Sequence, residues 1–215
     1  MRFDETYEEA VLLADGRAVV LRLLRPTDEH RALLREGFSR LSDRSRYLRF
    51  FSGKPRLTDA EVAYLTDTDG PNHLAIGALD ETSEPVKGVG VARWLRLPDR
   101  PEAAEPAVTV VDEAQGLGLG TLLMRRLVEA AVEHGVQEFH AEFLGENEPV
   151  RAMLRDVAPD TIFRDDGDGV MVAEMPLPGA RPHLASVGST PVEALIRRVL
   201  KHHASIAKDL VHGTM

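Results

Sequence analysis

The chain has 215 residues, 43% of them apolar and 28% charged, enough to bury one good core and a short appendage. Its net charge of −9 argues against nonspecific nucleic-acid binding, which needs clustered excess Lys and Arg, and mildly favours a basic partner such as an amine. It contains no cysteine, which excludes disulfides, thiolate metal sites and an acyl-cysteine intermediate.

The N-terminal Met1-Arg2-Phe3-Asp4 lacks the basic start and apolar stretch of a signal peptide. No apolar run approaches the roughly 18 residues of a membrane span. The expected location is cytoplasmic, with no membrane and no nucleic acid among the partners.

In chain order, Glu9 to Leu13 and Ala18 to Leu24 form a hairpin around Asp15-Gly16, a turn dipeptide. Thr27 caps a helix that carries Leu33, Leu34, Phe38 and Leu41 on one face, and Ser42 opens a second helix to Phe51. Thr58-Asp59-Ala60-Glu61 is a capping box that starts a third. Strands follow at His73 to Leu79 and Val86 to Leu95, then a turn over 97–101 and a strand at Ala104 to Val111. Leu119, Leu123, Leu127, Ala130 and Ala131 share one helical face, with Gly135 as the terminator. Phe139, Ala141 and Phe143 alternate with His140 and Glu142, which predicts a strand covered on one face. A helix from Asn147 to Val157 and strands near Thr161 to Arg164 and Val170 to Glu174 close an α+β unit.

Proline- and glycine-rich 177–189 reads as a linker. A second capping box, at Thr190-Pro191-Val192-Glu193, then starts an amphipathic helix over 190–212. Its apolar face is expected to pack on its own domain or on a second subunit, which would make a homodimer.

Between the strand ending at Val111 and the helix lies Gln115-Gly116-Leu117-Gly118-Leu119-Gly120-Thr121. Glycine lets a ligand approach the backbone, and the first amides of a helix have no internal partner. With the positive end of the helix dipole they suit a phosphate or pyrophosphate. A P-loop would need a lysine before Thr121, and a dinucleotide fingerprint would need G-x-G-x-x-G early in the chain. A turn that binds nothing is the alternative for the loop alone.

The pattern Gln115, Gly118, Gly120 resembles the coenzyme A pyrophosphate loop of the GNAT superfamily of N-acetyltransferases. The resemblance extends from about Val20 to Met175, with Asn147 at the family's asparagine beside the pantetheine and pyrophosphate. Ser45-Arg46-Tyr47-Leu48-Arg49-Phe50-Phe51 and His73-Leu74-Ala75-Ile76 are similar to the bacterial protein-lysine acetyltransferases of the Pat-like branch. It implies an α+β fold of α/β/α type, a mixed, mostly antiparallel sheet with flanking helices, over residues 1–176 with its core at about 17–175. It also implies acetyl-CoA as co-substrate, held by Gln115 to Thr121 and Asn147, with no metal.

Transfer of acetyl to an amine requires a base for the amine and donors for the thioester oxygen. By resemblance the base is Glu105, the alternative being a solvated glutamate at a strand entrance. Pro106 next to it would mark a bulge or a shifted register. The donors would be amides around Val110 and Val111, where the family's strand bulges away from its neighbour. Asp112 and Glu113 read as solvated turn residues. The family's tyrosine acid, seven residues after the asparagine, falls on Leu154, so thiolate release would rely on solvent. Histidines 30, 73, 134 and 140 lack metal-site spacing and read as solvated or hydrogen-bonded.

Two functions compete on these residues. One is an acetyl-CoA-dependent N-acetyltransferase acting directly on a protein lysine or a small amine. The other is a catalytically weak acyl-CoA-binding sensor or partner-binding module.

Overall fold

Alternating apolar residues build one eight-stranded sheet in the computed structural model, which describes residues 2–179. The strands are β1 (Glu8–Leu12), β2 (Ala18–Leu23), β3 (His73–Asp80), β4 (Lys87–Leu97), β5 (Arg100–Val110), β6 (Glu138–Leu144), β7 (Ile162–Gly167) and β8 (Val170–Pro176). They lie in the order β1-β2-β3-β4-β5-β6-β8-β7, all antiparallel except β5 and β6. The helices are α1 (Asp28–Ser39), α2 (Asp43–Phe50), α3 (Asp59–Thr66), α4 (Leu119–Glu133) and α5 (Glu148–Val157).

Local chemistry starts the helices where the sequence placed them. The Thr27 hydroxyl accepts from the His30 amide at 3.2 Å, and the capping box of Thr58 and Glu61 is complete. On one face of the sheet Leu74, Ile76, Ala92, Trp94 and Ala104 meet Leu119, Leu123 and Leu127 of α4 in the main core. The other face lies under α1 to α3, which have a small core of their own around Phe38, Leu41, Leu57 and Val62. There Gly37 and Gly88 let α1 settle onto β4: a Cβ on Gly37 would stand 3.1 Å from the Gly88 carbonyl oxygen.

Parallel pairing of β5 with β6 is confined to Ala103 with Glu138 and Ala104 with Phe139. Beyond these the strands diverge, although β5 keeps continuous register with β4 through Val110. The expected bulge and register shift at Pro106 are therefore not found. The Val111 amide donates to the Val89 carbonyl at 3.0 Å, so by strand alternation the odd-numbered residues of β5 bond to β4. The even ones, Pro106, Val108 and Val110, face the gap. Proline there lacks a donor that the ladder to β4 does not use, and it withholds one from β6 where pairing stops.

Three further differences have simple causes. The hairpin between β4 and β5 is tighter than expected, with Leu97 opposite Arg100, so β5 starts at Arg100. His140 is buried along with Phe139 and Phe143, because β6 is covered on both faces. The chain stays tied to the sheet past Pro176, since Leu177 is buried and its amide donates to the Gln137 carbonyl at 2.8 Å. The expected helix over 190–212, and the linker beyond Gly179, lie outside the described residues.

Candidate active site

The glycine loop has the conformation its composition predicts. A single turn over Asp112–Ala114 leads into Gln115, and Gly116 and Gly118 take left-handed backbones with φ of 72° and 84°. Nothing lies within 4 Å of where a Cβ would stand on either. Gly118 is the N-cap of α4 and supplies no capping side chain, which leaves the first amides of a 15-residue helix for a ligand.

The side chains of the loop mostly serve the protein. Leu119 is fully buried, Leu117 half-buried against the main core, and Thr121 half-buried. What the loop offers outward is backbone. Gln115 Nε2 donates to the Val110 carbonyl at 3.0 Å and to Ser45 Oγ at 3.2 Å. Asp112, expected as a solvated turn residue, accepts from the Ser42 amide (2.9 Å), Ser42 Oγ (2.6 Å) and Ser45 Oγ (3.0 Å). Burial raises its carboxyl, but these hydrogen bonds outweigh it and hold it below the usual range. They lock the start of α2 onto the loop. Glu113 likewise is not merely solvated, for it pairs with Arg40.

Across the gap, Asn147 is buried and caps α5, its side-chain oxygen accepting from the Val150 amide at 3.4 Å. Val111 is buried and Val110 half-buried against the core. Leu154 is 1% exposed and belongs to the main core. Its neighbour Met153 does come close, with its sulfur 3.8 Å from where a Gly120 Cβ would stand.

On the sheet face under α1 to α3, Glu105 of β5 shares a neighbourhood with residues the sequence reading did not assign to a site. Burial raises the Glu105 carboxyl above its ordinary value, and the Arg49 guanidinium of α2 works against that rise. Burial also lowers Arg49, against the pull of Glu105. Arg93 of β4 is 8% exposed, yet its guanidinium makes no ion pair among the described residues. Its Nη1 donates to the Leu65 carbonyl of α3 at 2.7 Å and contacts His73 Nε2 at 3.3 Å. His73 Nδ1 lies 3.0 Å from the Asp67 carbonyl and must donate to it, so Nε2 is the acceptor for Arg93. Tyr64 of α3 stacks near His73 with ring centroids 5.8 Å apart, its hydroxyl raised by burial and by Glu105. The signal available in the sequence was Arg93 itself, one charge in the apolar strand Val91-Ala92-Arg93-Trp94-Leu95. An open cleft runs between α1 to α3 and the sheet, lined by Leu34, Leu57, Leu65, Arg49 and Arg93 among others.

The model of the GNAT acetyltransferase family matches residues 38–157, more than half of the chain. The chain belongs to the GNAT family of acetyltransferases. It is 32% identical over 139 residues to an acetyltransferase of Pseudomonas aeruginosa, which covers 65% of this chain and 73% of that one. It is 31% identical over 168 residues to acetyltransferase Pat of Mycolicibacterium smegmatis, covering 78% of this chain but 48% of Pat, so it spans about half the length of that relative. Among solved structures, the GNAT domain of S. lividans PAT matches with a TM-score of 0.72 at 25% identity, over 81% of this chain and 99% of that one. The mixed, mostly antiparallel GNAT sheet with its flanking helices is thus the fold of this N-acetyltransferase. Among the described residues no helix is long and apolar enough to cross a membrane.

Proposed function

We propose that this GNAT enzyme transfers acetyl directly from acetyl-CoA to an amine, with a protein lysine as the leading acceptor class and a small amine as the other. The observation that carries the reading is Glu105, a carboxyl whose affinity for a proton is raised by burial, on β5 at the point where its pairing with β6 ends. Such a group takes a proton from an ammonium more readily than an exposed carboxylate does.

In this reading the pyrophosphate lies on the amides of Gly116 to Thr121, and the pantetheine enters the gap where β5 and β6 no longer pair. The even-numbered amides of Val108 and Val110 face that gap and are the donors available to the thioester oxygen. The amine approaches from the α1 to α3 side, loses its proton to Glu105 and attacks the carbonyl carbon. The acylated nitrogen gives up its extra proton to solvent and the departing thiolate takes one from solvent, as Leu154 is buried in the core. A thiol with a reference pKa of about 8.5 makes that release chemically acceptable. The lysine preference rests on the likeness of Ser45 to Phe51 and of the Pat relatives.

The test is thiol release from acetyl-CoA with lysine-containing proteins and small amines, in wild type and Glu105→Gln. Release that needs an acceptor and falls at least tenfold in the variant is expected. Tight CoA binding without release for any acceptor would instead favour an acyl-CoA-binding sensor.

A further inference from the structure

Arg93 has work left over after its structural bonds are counted. Both of them use Nη1, and Nε and Nη2 are not among the buried polar atoms left without a partner, so they keep access to the cleft that Arg93 lines. A buried guanidinium without an anion is costly, and proteins ordinarily pair it. The charge that chiefly acts on it is another cation, Arg49, whose own attraction is directed at Glu105. His73 is held neutral beside it by burial and by Arg93. Arg49 and Arg93 both line the cleft and no carboxylate is among its lining residues, which leaves positive charge on its wall.

From these observations we infer that the acceptor brings a carboxylate with its amine, and that Arg93 binds the carboxylate while Glu105 receives the amine. This deepens the transferase reading above and rests on it. In the register of β4 and β5, Arg93 stands opposite Ala107 and Glu105 opposite Leu95, so the two are diagonal neighbours on one face. The backbones of such neighbours are about 7–8 Å apart. Side chains reaching from two such positions can hold a ligand whose ammonium and carboxylate are a few bonds apart. The cleft that Arg93 lines with Leu34, Leu57 and Leu65 accommodates the ligand's side chain beside its carboxylate, with Glu105 outside that lining. A free amino acid provides this arrangement, and so does an acidic residue beside a target lysine. The shared chemistry is a zwitterion read by a Glu and an Arg.

The experiment compares leucine, methionine and phenylalanine with their amides, and lysine peptides with Glu or Gln beside the lysine, as acetyl acceptors. An amide has the less basic amine, so a preference for the acid cannot arise from amine reactivity. Wild type is expected to favour the acid of one pair at least tenfold in kcat/KM, and the pair that responds identifies the source. Arg93→Gln should remove the preference by slowing the acid alone, and Arg93→Lys, which keeps the charge without the fork, should retain part of it. Equal use of both members in wild type, or an equal loss on both in Arg93→Gln, overturns the inference. If no acceptor is acetylated, the transferase reading fails separately. Calorimetric binding of N-acetylmethionine against N-acetylmethioninamide then decides the carboxylate site. A preference for the acid that Arg93→Gln abolishes supports it, and no preference overturns it.

Discussion

His73 Nε2 on β3 accepts from Arg93 Nη1 on β4 at 3.3 Å, which is possible only while the imidazole is neutral. Burial, and secondarily Arg93, lower the His73 pKa below its ordinary 6.5. The unfolded chain therefore takes up this proton first as pH falls. The stabilisation from neutral His73 is complete above about 6.5 and is lost as pH drops toward the lowered folded value. Thermal unfolding midpoints should fall between pH 7.5 and 5.5. His73→Gln, whose amide oxygen can still accept from Arg93, should flatten that slope, leaving the share of His134, which burial also lowers. An unchanged slope in the variant would remove His73 from the account.

Activity should depend on pH through Glu105. Its raised pKa means that the base is protonated, and inactive, at a pH where an exposed carboxylate would already be ionised. The acidic limb of kcat/KM is expected above the usual carboxylate range. Arg49→Gln removes the cation that restrains this rise and should move the limb to still higher pH. A limb that moves down, or not at all, contradicts the pairing of Arg49 with Glu105.

The left-handed backbone at Gly118, with φ of 84°, should make Gly118→Ala costly despite open space around it. The penalty is roughly 1–2 kcal/mol, and it falls on the loop proposed to hold the pyrophosphate. The KM for acetyl-CoA is expected to rise several-fold with a smaller change in kcat. Unaltered KM values would place the pyrophosphate elsewhere.

Restoring the family tyrosine at its sequence position should not restore an acid. Leu154→Tyr forces a larger, polar side chain into a filled core and is expected to cost about 1–3 kcal/mol. Chemical denaturation measures the loss, and single-turnover rates should show no gain in the chemical step. A faster step in Leu154→Tyr would mean that the position reaches the gap.

Much of the site was legible because it is written locally. Gly116 and Gly118 need left-handed backbones, and a helix start needs a cap or a ligand, so the loop declares itself over seven residues. The proposed role of Glu105 came only from likeness, since one glutamate in a strand looks like any other. Asp112 is the exposed turn residue expected, but its tie to α2 was not legible. Its three donors belong to Ser42 and Ser45, some 70 residues away in the chain, and no local pattern announces them.

By itself, then, the sequence determined the helix caps, the strand alternation, the glycine loop and the family. These follow from neighbouring residues and from the periods of helix and strand. Tertiary structure decided where β5 leaves β6, that Pro106 falls on the side where no ladder bond to β4 is lost, and that Leu154 points into the core. It also decided that Arg49, Arg93, His73 and Glu105 meet. Those four lie on three strands and a helix, and desolvation acts on them only once the sheet has closed under α1 to α3.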